Sequence, residues 1–268
     1  MKNFGRYLTS LLLCVFLLSS CIKGSNVRDG VGYGLLAWGG SNGFTPVLKS
    51  PLGIFSGSNV IALVNNLELN VGDCYVFSYR IDYDQPENSA SVVETNGYQT
   101  ITLIDYVMLP TYNFNSYFPD ISYISSDEIP LVKACNGIDF FEGYLFMAQV
   151  ARHPDDWKLT WEINYDPDTM MPTEEDGQRY YDVYVRARAQ SKSEKTTMSE
   201  LTYTNVYYVD DYLTLAANQE RKDNPSATQF KVRFFYISDI DEETNTATWS
   251  HDQVDFSVEG FLDTASWY

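Results

Sequence analysis

The sequence predicts an all-β protein of two units, a small closed barrel followed by a β-sandwich. Three observations carry that expectation. Tyr and Phe number 21 and 15 in 268 residues, and side chains of that shape suit half-buried pleated surfaces better than helices. Apolar and polar positions alternate with period two in one segment after another, as strands with one wet face do. Between Pro110 and Ile129 the alternation lapses, which separates two strand-rich blocks at 30–109 and 130–268.

In the first block, Val31, Tyr33, Leu35 and Ala37 alternate with Gly32, Gly34 and Leu36. They form a first strand whose glycines allow a close backbone approach or a bend. The Gly30–Gly34 cluster has neither the spacing nor the following helix of a dinucleotide or phosphate loop. Trp38-Gly39-Gly40-Ser41-Asn42-Gly43 reads as a turn, and residues 44–64, broken by Pro46, Pro51, Gly53 and Gly57, read as hairpins. Over 74–81, Tyr75, Phe77, Tyr79 and Ile81 share one face and Cys74, Val76, Ser78 and Arg80 the other. Polar residues 82–97 are expected to be an excursion loop, and 98–109 a returning strand. About five short strands suffice for a small barrel.

Residues 110–129 lack sustained periodicity and are expected to be an aromatic linker that packs on something. Beyond it, Tyr144, Phe146, Ala148 and Val150 oppose Leu145, Met147, Gln149 and Ala151, the pattern of a central strand. Trp157, Leu159, Trp161, Ile163 and Tyr165 alternate with Lys158, Thr160, Glu162 and Asn164, and Arg152-His153-Pro154-Asp155-Asp156 between the two segments predicts a tight hairpin turn. Tyr181, Val183, Val185, Ala187 and Ala189 mark the next strand. Residues 202–209 then run into 210–218, which reads either as one or two helical turns capped by Asp210 and closed at Asn218 or as continued strand. Phe230, Val232, Phe234 and Tyr236, then Val254, Phe256 and Val258, mark the last two strands. Roughly six antiparallel strands without substantial helix predict a sandwich.

The amino terminus says where such a protein resides. Lys2 and Arg6 precede the apolar run Leu11-Leu12-Leu13-Cys14-Val15-Phe16-Leu17-Leu18, which is too short for the roughly 20 residues a bilayer core needs. Residues 1–20 therefore read as a removed secretory signal. In Leu18-Ser19-Ser20-Cys21 the cysteine follows small residues at the cleavage point, which predicts lipidation of Cys21 and a short tether over 21–29. The sequence resembles the lipobox of bacterial lipoproteins, whose multiple acyl chains give stable membrane anchoring.

Charge and cysteine usage narrow the partners. The formal net charge is −18, and −20 once Lys2 and Arg6 leave with the signal. Such a surface repels phosphates and anionic headgroups, so nucleic acid is excluded as a partner and the membrane is met through the lipid anchor. With Cys14 in the signal and Cys21 lipidated, Cys74 and Cys135 remain as the pair available for a disulfide, and sequence leaves open whether they meet.

Leu18–Cys21, the lead-in Leu69-Asn70-Val71-Gly72-Asp73-Cys74-Tyr75-Val76 and the pair Tyr144-Leu145-Phe146-Met147 with Trp157-Lys158-Leu159-Thr160-Trp161 together resemble the NigD-like lipoproteins of Bacteroidetes. The resemblance implies an OB-like amino-terminal barrel, an immunoglobulin-like carboxy-terminal sandwich, residence in the cell envelope as an outer-membrane lipoprotein, and no established catalytic residues.

Chemistry-bearing clusters are sparse. His153 beside Asp155 and Asp156 lies in a turn, where neighbours seldom converge on one reacting atom. No nucleophile motif, cofactor motif or zinc spacing is present, so neither a cofactor nor a metal is expected. Asp166, Asp168, Glu174, Glu175 and Asp176, and separately Asp239, Asp241, Glu242 and Glu243, read as solvated hairpin tips without the Gly and terminal Glu of a calcium loop. Trp157 and Trp161 share a face with Leu159 and Ile163 and read as core. The candidate ligand-binding residues are Trp38 at the first turn and Tyr112, Phe114, Tyr117 and Phe118 at the junction. The sequence thus predicts a non-enzymatic, lipid-anchored envelope protein that acts by binding or assembly, with an envelope protein or a glycan as its candidate partner and the ligand left open. The alternatives are a fimbrillin-like structural subunit and a glycan-processing enzyme, which needs two carboxylates roughly 5–10 Å apart in a cleft.

Overall fold

The computed structural model describes residues 26–116, 121, 123–167, 172–241 and 243–262. The chain divides between Thr111 and Tyr112 into two compact units.

The first unit contains β1 (Val27–Gly39), β2 (Thr45–Ser50), β3 (Gly53–Ser56), α1 (Ser58–Asn65), β4 (Cys74–Asp82), a 3-10 turn at Pro86–Asn88, α2 (Ala90–Asn96), β5 (Gln99–Thr100) and β6 (Thr102–Met108). Its strand order is β5-β3-β2-β1-β4-β6. β5 and β6 are two arms of one strand bent at Ile101, whose N–H donates to the Ser56 carbonyl at 2.7 Å. One arm runs parallel to β3 and the other antiparallel to β4, so the ends of the order meet and the sheet closes into a barrel. Leu36, Leu48, Phe55, Leu69, Tyr75, Phe77, Tyr79 and Ile101 fill it, with Val60 of α1 packed among them. The hairpins expected over 44–64 hold for β2 and β3 and then give way to α1, whose short apolar run carries its buried Val60 to the core. The expected excursion loop at 82–97 carries helical turns, because Pro86 opens one turn and Gly97, at φ 74°, closes α2.

The second unit contains β7 (Thr111–Asn115), β8 (Glu128–Ile129), β9 (Leu131–Phe141), β10 (Tyr144–His153), β11 (Lys158–Tyr165), β12 (Thr173–Glu175), β13 (Gln178–Ser191), β14 (Ser199–Tyr208), α3 (Asp210–Asp223), β15 (Gln229–Asp241), β16 (Thr246–Ser257) and α4 (Glu259–Leu262). The main order is β16-β15-β13-β11-β7-β14-β10-β9, with β8 and β12 paired to β13. The sheet curls upon itself: the Cys135 N–H on β9 donates to Asp252 Oδ2 on β16 at 2.8 Å, and the Tyr236 hydroxyl on β15 donates to the Val132 carbonyl at 3.3 Å. Leu145, Met147, Trp161, Ile163, Val183, Val185, Tyr207, Val232 and Phe234 fill the space between the two halves. The expected sandwich is thus one folded-over sheet.

Three expectations are corrected here. The segment read as a linker contributes β7 and β8 to the sheet, since β7 runs parallel to β11 and β8 antiparallel to β13. The turn after His153 is not a hairpin, because β10 pairs with β9 and β14 while β11 pairs with β13 and β7; a short turn carries the chain across the fold as readily as back alongside itself. The strands are not all antiparallel, since β13 and β15 run parallel, joined through β14 and the 14-residue helix α3. That helix runs past Asn218 because Ala216, Ala217 and Glu220 continue the buried stripe begun by Tyr212 and Leu213. Its acidic first turn and basic last turn suit the helix dipole.

Candidate functional site

The end of the barrel where β1 passes to β2 presents two exposed aromatic side chains. Trp38 stands opposite Pro46 in the β1–β2 register and is 55% exposed, and Phe44, two residues before Pro46, is 82% exposed. The loop between them is held by specific contacts. Gly40 and Gly43 take φ of 73° and 71°, a region an L side chain rarely adopts, and the Gly43 N–H donates to the Gly40 carbonyl at 3.0 Å. The Asn42 carboxamide oxygen accepts from the Phe44 N–H at 2.9 Å and the Thr45 hydroxyl at 3.1 Å, an Asx turn that fixes where Phe44 points. The Ser41 N–H donates to the Asn96 carbonyl at 2.8 Å, pinning the loop to the end of α2. An aromatic surface on a rigid loop loses little conformational entropy when it meets a ligand.

The other sequence candidates fall elsewhere. Tyr112 and Phe114 are half-buried on β7 and pack inward, Tyr112 with its ring 5.9 Å from Tyr207, and Phe114 5.3 Å from Tyr165 and 4.9 Å from Tyr212. Their place in the sheet makes them part of a core, which corrects their reading as a ligand platform. Cys21, Tyr117 and Phe118 lie outside the described residues. Cys74 and Cys135 are free thiols in different units, and burial pushes each thiol up to about 12. The suggested bridge is therefore absent from the fold.

Trp161 is buried and Trp157 packs against the same core, as the alternation of β11 implies. His153 is fully buried. Its Nδ1 lies 2.7 Å from the Pro154 carbonyl, so it carries the hydrogen and donates, and Nε2 accepts from the Tyr203 hydroxyl at 2.7 Å. Burial holds its pKa below the usual imidazole value, against the opposing pull of the Pro154 carbonyl and Asp155. Nearby on the same inward face, Gln149 accepts from Asn205 Nδ2 at 2.6 Å and from the Tyr207 hydroxyl at 2.8 Å. His153 and Gln149 thus each bond within the core, while Gln149 Nε2 is buried without a hydrogen-bond partner among the described residues.

The acidic runs sit at strand ends. Glu175 pairs with Arg233, which also holds Asp182 through two bonds of 2.7 and 2.9 Å; Asp241 caps the turn before β16. Asp168 and Glu242 lie outside the described residues. Among the described residues no three His, Cys, Asp or Glu side chains gather as a metal site would require.

Sequence reasoning found Trp38 because a bulky ring before Gly-Gly-Ser-Asn-Gly has nowhere to bury itself. It passed over Phe44, read as the start of a hairpin, although the Asn42 turn that turns Phe44 outward is written in the sequence.

Residues 42–107 match the family model of the lipoprotein OB domain, the barrel without β1, from the turn after that strand to within one residue of the end of β6. The OB barrel expected of the first block is borne out by this match to a lipoprotein-family domain. Among solved structures the chain is similar to a protein of Parabacteroides merdae without assigned function, at 18% identity and TM-score 0.67 over 85% of this chain and 98% of that one. It is also similar to a candidate lipoprotein of Bacteroides fragilis, at 11% identity and TM-score 0.53 over 85% and 98%. A NigD-like immunity protein of Bacteroides caccae aligns at 13% identity and TM-score 0.42 over 85% and 94%. No curated protein matches the chain.

Proposed function

We propose that this chain, whose residues 42–107 carry a lipoprotein OB domain, is a lipid-anchored protein of the outer membrane that works by binding and not by catalysis. The observation that carries the reading is Trp38, held more than half exposed beside a loop fixed at Asn42 and Ser41. In this reading Cys21 bears the acyl anchor, the OB barrel presents Trp38, and the second unit serves as an immunoglobulin-like support. The lipoprotein family and the lipoprotein-named neighbour support a cell-envelope location.

The direction of β1 supports the division of labour. Val27 begins the strand and Trp38 lies eleven residues on, roughly 36 Å along an extended chain, so the aromatic end is the end of β1 farther along the chain from Cys21. The test is a combined glycan and peptide array with the chain from residue 22 onward, which keeps every described residue. The expected result is a set of retained ligands whose signal falls at least tenfold in Trp38→Ala. Retention of none, or equal retention by Trp38→Ala, refutes the reading.

A further inference from the structure

We infer that the surface formed by the start of β1 and the turn after β4 contacts lipid, and that Val27, Arg28 and Tyr83 rest on a zwitterionic bilayer beside the anchor. The inference rests on the reading of Cys21 as the acylated residue and says which surface of the barrel the anchor brings to the membrane. Length carries the first step. Asn26 is already fixed to the barrel, since its carbonyl accepts the Tyr83 N–H at 3.0 Å and its Nδ2 donates to Asp84 Oδ1 at 2.5 Å. Residues 22–25 alone separate it from Cys21, and the five links between the two residues reach at most roughly 18 Å. An acylated Cys21 therefore holds this surface within that distance of the headgroups.

Side-chain chemistry carries the second step. Val27 stands opposite Asp82 and Arg28 opposite Ile81, so the strand start and the turn after β4 are neighbours. Val27 is 37% exposed and Tyr83 41%, and the Arg28 guanidinium lies over the Tyr83 ring, 5.6 Å from its centre. The turn that presents Tyr83 is fixed. The Asp84 N–H donates to Asp82 Oδ1 at 3.0 Å, and Asn88 Nδ2 reaches the Asp82 and Thr100 carbonyls, each at 2.9 Å. Tyrosine and arginine join apolar bodies to polar tips, the form of side chain that settles at headgroup level. The contact needs little affinity of its own, because so short a tether supplies an effective concentration on the order of mM. Charge selects the lipid. Residues 22–29 and 80–88 hold Lys23, Arg28 and Arg80 against Asp29, Asp82, Asp84 and Glu87, a sum of −1 in a mature chain of −20. Arg80 is taken by Asp29 at 2.6 and 2.9 Å, and Arg28 is placed for a headgroup phosphate. This surface is thus close to neutral, while the chain as a whole is repelled by an anionic bilayer.

The test couples the chain from residue 21 onward, through the Cys21 thiol, to vesicles carrying a maleimide lipid. Cys74 and Cys135, whose thiols burial pushes up to about 12, are left unmodified. On phosphatidylcholine vesicles, amide hydrogen exchange over 27–29 and 82–85 is expected to slow by roughly threefold or more relative to the uncoupled chain, with 40–44 unchanged. The slowing should weaken in Arg28→Gln and vanish when Val27→Ser is joined to Tyr83→Ser, with both variants melting close to the parent because the three side chains are exposed. It should also shrink when half the lipid is phosphatidylglycerol and return as salt rises. No slowing over 82–85 on phosphatidylcholine, equal slowing over 40–44, slowing that survives the variants, or slowing that grows with phosphatidylglycerol overturns the inference. Incorporation of labelled palmitate in cells, abolished by Cys21→Ser, reports on the anchor separately. Without it the anchor and the lipid surface fall together; labelling without slowing removes the surface alone and leaves the anchor and the Trp38 reading standing.

Discussion

Gly30, Gly32 and Gly34 of β1 lie directly across from Tyr79, Phe77 and Tyr75 of β4; at Gly30 and Gly32 the missing side chain admits a ring, and at Gly34 it admits the backbone of β2. The three positions differ in what a Cβ would meet. At Gly34 it would fall 1.8 Å from the Lys49 carbonyl oxygen, at Gly30 2.6 Å from the Tyr79 ring and at Gly32 3.0 Å from the Phe77 ring. Backbone cannot yield as a ring edge can. Gly34→Ala is therefore expected to cost ~3 kcal/mol or more, and Gly30→Ala and Gly32→Ala about 1–3 kcal/mol. Urea unfolding of the three variants checks the order; an equal or smaller loss at Gly34 contradicts the account. The sequence showed that these glycines were no phosphate loop and allowed them a close approach. It could not show which strand approached, because register is set across the barrel by residues some 45 positions away.

At the scale of elements, a buried ion pair reinforces the backbone pairing that holds β8 and the stretch before it to the sheet. Arg186 donates from Nε to Glu128 Oε1 at 2.9 Å and from Nη2 to Oε2 at 2.7 Å, while Nη2 also reaches the Tyr123 carbonyl at 2.9 Å. Both side chains are nearly removed from solvent, and Arg188 adds a further contact at 3.5 Å. Removing one partner strands the other as a buried charge, so Glu128→Ala is expected to cost about 3–5 kcal/mol, and Glu128→Leu with Arg186→Met to recover most of it. Hydrogen exchange across 123–131 and chemical denaturation provide the readout; a double variant as unstable as Glu128→Ala contradicts the account. Nothing in Ser-Ser-Asp-Glu-Ile announced this pairing, because its partner is 58 residues away. The same limit hid β5, two residues long and recognisable only by its contact with β3. Helix α3 was cut short for a local reason, since Asn218 reads as a stop until Ala217 and Glu220 are seen against the core. The later part of β4, 77–82, and the first part of β11, 158–163, were legible because burial there alternates with period two with no help from topology.

The whole molecule carries a formal charge of −18 at pH 7, the excess of 36 Asp and Glu over 18 Lys and Arg. His153 is a buried group whose ordinary imidazole value, near 6.5, falls between pH 5 and 7. Burial lowers its pKa in the folded chain, whereas in the unfolded chain it protonates near 6.5. As pH falls through 6.5, the unfolded chain takes up a proton that the native chain refuses, and stability declines until the pH reaches the lowered native value. Carboxylates held below their usual range by partners, such as Asp223 beside Arg179 and Asp241 on the Thr244 and Glu243 amides, work at lower pH: their contribution is lost only below about 3.8. The urea midpoint is therefore expected to fall between pH 7.5 and 5.5, followed by tryptophan fluorescence, since Trp157 lies 6.3 Å from the His153 ring and Trp161 5.4 Å from Tyr203. His153→Gln, which retains a donor and an acceptor but cannot charge, should be less stable at pH 7.5 and flat across the window. A variant that keeps the parent's slope assigns the pH dependence to another group and removes His153 from the account.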